Sequence, residues 1–488
     1  MLVISCYIMV LFLFLGTCLF CYSYLHLLCK KNMKIYSFET ITSIEDVRQI
    51  PSYVPLGEQS ILIPPSFPWI KDKLQDIAIS LYNFDWEKLP TLIDALKTKT
   101  FEFTSQLTGA TENSPATISI IENLFQSLHS FVNRPLNQIK DKELLSFTER
   151  LSGLIIYSYF KTLKVNVSLL DPSLFVCIGS NSKIDTEKSA ECLRRLIQDQ
   201  DAIVSILPAR ICKNGLEETI LMPAKLHTLY ATHMATLFHA EELTFYTTKQ
   251  MSSASPDEDV CSQFKDYTIT YNEAKSIINA GFNLVPKASL DLAGQHGINL
   301  RISNYYNPNK QTITITKTST MNQIKAVVTR KNADYLQIHS SGNLMPFQFL
   351  TKVMAVCGDF KTPIHLISSS SVNISMAVEL SSETFHQMEN QLSQFASVSV
   401  EKDISVIHII GQFDQEKENM EVKVIDLLKD IPILMISYGS DNNSVSVVVS
   451  KDMGEKAQAI LMDNFAGQDF MKRNVAPRFR EAYSAMSI

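Results

Sequence analysis

The last third of this chain contains an internal repeat. Leu350-Thr351-Lys352-Val353-Met354 is answered by Glu421-Val422-Lys423-Val424-Ile425. Pro363-Ile364-His365-Leu366-Ile367-Ser368 is answered by Pro432-Ile433-Leu434-Met435-Ile436-Ser437, and Val372-Asn373-Ile374-Ser375-Met376-Ala377-Val378 by Ser444-Val445-Ser446-Val447-Val448-Val449. The matches keep one order and a period of roughly 70 residues, and a fixed period constrains architecture more than any single motif. Each copy reads strand, helix, strand, strand, helix. Alternating apolar and polar residues in the hairpin strands give each sheet one buried face. This predicts a ferredoxin-like βαββαβ module made twice, over 319–402 and 403–470, with a tail at 471–488.

Ahead of the repeat, from Met33 to about residue 318, short apolar runs alternate with helical patterns. Ser60–Ile63, Leu174–Ile178, Ala202–Leu207 and Leu243–Tyr246 read as strands, and Leu144–Leu163 and Leu226–Ala240 as helices. Alternation of this kind predicts a layered α/β domain. Glycine limits its chemistry. There are 15 glycines in 488 residues, and no Gly-Gly or Gly-x-Gly anywhere. Backbone N–H groups approach phosphate closely only where no Cβ intervenes, so a Walker loop, a dinucleotide fingerprint and a protein-kinase glycine loop are all excluded. A net charge of -6 argues against nucleic acid as a partner.

Residues 2–28 carry no charged side chain and are long enough to cross a bilayer. Lys30, Lys31 and Lys34 follow, which predicts a cytosolic body tethered to the inner face of the plasma membrane. The rival reading is a start at Met33, with 1–32 an upstream extension. Cys6, Cys18, Cys21 and Cys29 fall in or beside this segment. Cys177, Cys192, Cys212, Cys261 and Cys357 are scattered, which fits a reducing compartment and no disulfide framework. Cys18-x-x-Cys21 has no second pair, and His227, His233 and His239 are spaced six apart, off one helical face, so no metal site is expected.

Several segments, in order, resemble the aspartokinase family. Lys34-Ile35-Tyr36-Ser37-Phe38 stands where that family has its opening strand and Lys-Phe-Gly-Gly-Thr-Ser. Ser146-Phe147-Thr148-Glu149-Arg150-Leu151-Ser152 is similar to its Phe-Gly-Glu-Arg-Leu-Ser, and Ile269-Thr270-Tyr271-Asn272-Glu273-Ala274 to its Leu-Ser-Tyr-x-Glu-Ala. Ile298–Pro308 is similar to its Ile-Pro-x-x-x-x-Asn-Thr-Phe-x-Pro, and Met435-Ile436-Ser437-Tyr438-Gly439 to the Met-Ile-Ser-x-Gly of its second ACT module. The resemblance implies an amino-acid-kinase α/β domain over 33–318, followed by two ACT modules. It also implies ATP and Mg as cofactors, and phosphoryl transfer to the β-carboxylate of L-aspartate.

That reaction needs phosphate charge neutralised and two mutually repelling anions positioned. The family's groups for this are missing here. Its motif lysine falls at Ser37, and the two glycines after the Phe become Glu39 and Thr40. Its Ser-Ala-Met-x-Gly turn is Pro64-Pro65-Ser66-Phe67-Pro68. Its Gly-Arg-Gly-Gly-Ser-Asp reads Met222-Pro223-Ala224-Lys225-Leu226-His227, placing Pro223 at the substrate arginine and His227 at the acid. Its Trp-Thr-Asp-Val-Asp-Gly becomes Tyr246-Thr247-Thr248-Lys249-Gln250-Met251, and the lysine of Gly-Ala-Lys-Val-Leu-His-Pro falls at Phe282. What the resemblance leaves for substrate binding is Glu149, Arg150 and Thr42, and ATP and Mg are expected to bind weakly if at all.

In the ACT modules the positions matching an effector site include His365, Ser369 and Ser370, with Ser368 and Ser371 beside them. The acids the family places at His365 and Ser371, which would pair with an effector's ammonium groups, are replaced. The expectation is a catalytically impaired aspartokinase relative. It would act as a homodimer, or as the partner of an intact aspartokinase, through its ACT modules. The rival expectation is an active aspartate kinase using substituted groups such as Lys225 or Lys249.

Overall fold

The computed structural model describes residues 33–39, 41, 43–109, 115–134, 141–180, 182–196, 202–248, 260–264, 268–308, 312–318, 324–342, 344–411, 420–438 and 444–466. The apolar segment 2–28, Thr42, Lys249, Gln250 and the tail 471–488 lie outside these. Among the described residues no helix is long and apolar enough to cross a membrane. The chain divides into two units, Met1–Thr248 with Gln295–Arg301, and Lys249–Gly294 with Ile302–Ile488.

The first unit is built on β1 (Lys34–Phe38), α1 (Ile44–Tyr53), β2 (Ser60–Ile63), α2 (Pro68–Tyr82), α3 (Leu89–Thr108), α4 (Pro115–Val132), α5 (Asp141–Thr162), β3 (Val167–Leu169), α6 (Thr186–Leu196), β4 (Val204–Ile206), the ribbon β5 (Ile211–Lys213) and β6 (Thr219–Leu221), α7 (His227–Leu237) and β7 (Glu242–Thr247). Its sheet runs β3-β4-β2-β1-β7, every neighbour parallel. Ile35, Leu62, Ile63, Val204 and Leu243 are fully buried, as parallel strands covered on both faces require.

Helix α5 is apolar on most of its circumference. Leu144, Leu151, Leu154, Ile155, Ile156 and Phe160 are all buried, so it is an internal helix rather than a surface one. Helix α1 starts where Ser43 accepts the Asp46 N–H at 3.0 Å, with Glu45 and Asp46 in the first turn favoured by the helix dipole. Leu174–Ile178 is not the strand that its apolar run predicts. Asp171 instead accepts the Ser173 N–H and caps a 3₁₀ turn at Pro172–Leu174, and the residues after it form isolated bridges to Lys213 and Ile184.

The second unit contains β8 (Val260–Phe264), β9 (Thr268–Thr270), α8 (Tyr271–Asn279) and most of α9 (Lys287–His296). It continues with β10 (Asn299–Asn304), begun in the first unit, and β11 (Thr312–Thr316). Then follow β12 (Ile324–Ser340), α10 (Pro346–Asp359), β13 (Ile364–Ser369), β14 (Asn373–Val378), α11 (Ser382–Leu392), β15 (Ala396–Gly411), α12 (Met420–Leu427), β16 (Ile433–Ser437), β17 (Ser444–Ser450) and α13 (Lys451–Ala466).

Two motifs similar to the family's are structural here. Glu273 closes a capping box with Thr270, its side chain accepting the Thr270 N–H at 2.6 Å. Asn304 Oδ1 accepts the Tyr306 and Asn307 N–H groups, fixing the turn before Pro308.

Strands β12 and β15 are 17 and 16 residues long, and each serves both modules. Residues 335–340 of β12 pair with 396–401 of β15, and 334–339 pair with β14, giving the order β13-β14-β12-β15 with α10 and α11 on one face. Residues 404–411 of β15 pair with β17 and with 324–330 of β12, giving β16-β17-β15-β12 under α12 and α13. Both orders are that of a ferredoxin-like module. In the second, the closing strand is contributed from upstream of the first, so the modules interleave. The register shifts where the halves meet, and there Asn332 and Asp403 take left-handed backbone at φ 59° and 58°. A third cluster, with Tyr335, Leu366, Ile404, Val406, Met435 and Val448, joins the two modules.

Candidate functional site

In a parallel sheet with helices on both faces, ligands gather beyond the carboxyl ends of the strands. In the first unit this rim is formed by Ser37–Glu39 after β1, Pro64–Phe67 after β2, Leu207–Arg210 after β4, His227 opening α7, and Tyr246–Thr247 ending β7. Helix α5 closes it from below. Its Gly153 is required by close approach: a Cβ there would lie 2.8 Å from Pro208 Cγ. Ser152 Oγ accepts the Phe67 N–H at 3.2 Å, locking the proline-rich turn onto the helix.

The centre of the rim is Glu149. Its residue is 0 % exposed. Ser66 Oγ reaches its two carboxylate oxygens at 2.7 and 2.9 Å, and the Arg210 guanidinium forms an ion pair with it. Arg210 also donates to the Met222 carbonyl at 2.9 Å and holds φ at 60°, a left-handed conformation that costs a non-glycine residue energy. Burial pushes the Glu149 carboxyl up, while Arg210 and Ser66 pull it down. A carboxylate with this little solvent is tolerable only because its partners are built in.

The next contact lies at the end of β1. Ser37 Oγ lies 2.9 Å from His227 Nε2. Burial, and then the Arg210 charge, hold His227 down to about 4, so its ring is neutral at neutral pH. Serine and neutral histidine satisfy each other and add no positive charge. At the outer rim the Glu39 carboxylate accepts a bond from Thr247 Oγ1 at 2.9 Å, and the Glu39 N–H donates to the Tyr246 carbonyl at 3.1 Å. Phe38 and Tyr246 stack at 4.7 Å between centroids, and Tyr53 tilts against Tyr246 at 5.0 Å. A carboxylate and stacked aromatic rings stand where β1 and β7 end. The Glu39 carboxylate adds negative charge at a place where a nucleotide's phosphates would call for cationic or N–H groups.

The sequence-derived site residues are therefore not all brought together. Ser37, His227 and Glu149 share the rim. Arg150 leaves it to pair with Asp171 at 2.9 Å and Ser173 at 3.0 Å. Thr42 lies outside the described residues, and Phe282 belongs to the second unit, where its N–H donates to the Ile277 carbonyl. Among the effector positions, His365 sits at the start of β13, 3.6 Å from Glu379, which Arg330 also approaches at 3.4 Å. Ser369 and Ser370 are exposed at its other end, Ser370 closing a turn with Asn373. The open face of the first module carries a shallow depression of about 340 Å³ lined by Gln337, His339, Asn373, Ser375, Ser397 and Ser399. Sequence reasoning missed Arg210 and the double bond from Ser66. Arg210 sits in no motif, Ser66 sits in a turn read only for its prolines, and the Glu149–Arg210 pairing spans 61 residues.

The fold and this rim together define the class: an amino-acid-kinase domain joined to paired ACT modules. The chain matches no protein-family model. It is 25% identical over 223 residues to the chloroplastic aspartokinase 1 of Arabidopsis thaliana, covering 43% of this chain and 39% of that protein. The match thus spans well under two thirds of the relative. Aspartate kinase of Clostridium acetobutylicum shares the fold at a TM-score of 0.67 and 15% identity, over 89% of this chain and 100% of that one. Escherichia coli aspartokinase III, solved with lysine and aspartate, does so at a TM-score of 0.62 and 17% identity with the same coverages. In part of its sequence and in its fold the chain is thus similar to aspartokinases, at modest identity.

Proposed function

We propose that this protein is a non-catalytic aspartokinase relative, which works through its ACT modules rather than by phosphoryl transfer. The observation that carries the reading is the closed set Glu149, Ser66 and Arg210. In the family's scheme Glu149 is the acid left to receive a substrate's ammonium group. Here the guanidinium of the chain's own Arg210 holds that position, and an incoming amino acid would have to displace a buried ion pair. The Ser37–His227 bond and the carboxylate of Glu39 support the same reading at the phosphate side. What the modules keep is their capacity to associate. β13 is an edge strand, and Phe347, Ile367 and Val372 on the first module are exposed at 67%, 42% and 45%.

The deciding experiment is nucleotide binding by the chain from Met33, followed by thermal unfolding. Millimolar Mg-ATP, with and without L-aspartate, is expected to leave the transition where it is. A rise of several degrees that a neutral nucleoside does not reproduce, or acyl-phosphate trapped as a hydroxamate, would establish instead an active kinase with substituted groups.

A further inference from the structure

Three cysteines distant in the sequence gather on one side of the first unit. Cys177 lies in the bridged segment after the 3₁₀ turn, Cys192 on α6 and Cys212 on β5. The sulfurs of Cys177 and Cys192 are 4.0 Å apart. Their backbones are held in that relation. The Cys177 N–H donates to Ser189 Oγ at 2.9 Å, about one turn before Cys192 on the same helix. The Cys177 carbonyl accepts the Asp185 N–H at 2.9 Å, and Asp185 accepts the Ser189 N–H at 3.0 Å. Residue 177 is thus bound at both its polar backbone groups to the start of α6. A disulfide needs the sulfurs at about 2.05 Å, so they must close by roughly 2 Å, a distance on the scale of a side-chain rotation.

We propose that Cys177 and Cys192 are a thiol-modification site, which closes to an intrachain disulfide on meeting a low-molecular-weight disulfide such as oxidised glutathione. Cys192 is half-buried, while Cys177 and Cys212 are buried, so Cys192 is the sulfur that the small disulfide reaches. Its thiolate attacks one sulfur of the reagent, forms a mixed disulfide and releases one small thiolate. The Cys177 thiolate then attacks the Cys192 sulfur and expels the second. Two protein thiols lose two protons and two electrons, and one small disulfide becomes two thiols. Burial and the Cys192 neighbour push the Cys177 thiol up, and Lys213 and Lys188 only partly offset them. Cys177 rather than Cys212 is the resolving sulfur because it is the one in contact with Cys192, at 4.0 Å; burial also pushes the Cys212 thiol far up. In a reducing compartment such a bond is reversible.

The test is incubation of the full chain in graded oxidised and reduced glutathione, followed by peptide mapping without reduction. The expected product is one cross-linked pair joining the Cys177 and Cys192 peptides, lighter than the free peptides by two hydrogens and reversed by dithiothreitol. Cys192→Ser and Cys177→Ser should each abolish it, and Cys212→Ser should leave it. Cys192→Ser is the safer variant because that side chain is only half-buried, and the wild-type map needs no variant at all. The proposal is overturned if both thiols stay free, if Cys192 carries only glutathione, or if the cross-link joins Cys212 instead.

Discussion

Glu149 shows how one residue's role depends on a neighbour the sequence does not place beside it. Its motif marks it as a ligand-binding acid. Its surroundings make it half of an internal ion pair, with its partner Arg210 only 11% exposed. Removing the charge from one side of such a pair leaves the other buried and uncompensated. Glu149→Gln is therefore expected to lower the unfolding free energy by about 3 kcal/mol, read by urea denaturation. Arg210→Met in the same chain should recover most of that loss. If the double variant is as unstable as the sum of the singles, the two side chains are not coupled and Arg210 is not the group that fills the site.

At the scale of elements, the helices and hairpins of the repeat follow from its pattern, but the sharing of strands does not. A strand of 17 residues has no local reason to change partners halfway. The change is made at the left-handed pair Asn332 and Asp403, where Asp334 ties the two strands by accepting Lys402 Nζ at 2.9 Å. Asparagine and aspartate tolerate positive φ, and β-branched residues do not. Asn332→Val should cost about 1–2 kcal/mol, while Asn332→Gly should be close to neutral, both measured by equilibrium unfolding of the second unit's signal. Equal losses for the two would show that the side chain of Asn332, and not its backbone, is what this position needs. The misread Leu174–Ile178 run has a similar cause: an Asp171 cap and Pro172 start a turn before the apolar residues can form a ladder.

For the whole molecule, the exposed edge strand and apolar side chains of the first ACT module predict association. The chain from Met33 should give at least a dimer mass in light scattering at micromolar concentration. Phe347→Glu should weaken it at least tenfold by burying an unpaired charge at the contact. A monomer mass for the unmodified chain would remove the association on which the proposed function rests.

The sequence by itself determined the layered α/β class and the doubled ferredoxin-like module, and it shows no Gly-Gly or Gly-x-Gly, because periodicity and the presence of a glycine are local properties. It also placed Ser37, Glu149 and His227 as the positions to watch. Only the tertiary structure decided which side chains pair at the rim. Arg210 reaches Glu149 across 61 residues, His227 reaches Ser37 across 190, and Cys192 comes within 4.0 Å of Cys177 although they read as scattered. Such pairings depend on which side chains the sheet brings to one rim or one helix, and burial then determines their charge: a neutral histidine, a compensated carboxylate and a Cys177 thiol pushed up. No spacing rule along the chain encodes that, because it is set by the packing of elements whose sequence separation is unrelated to their distance in space.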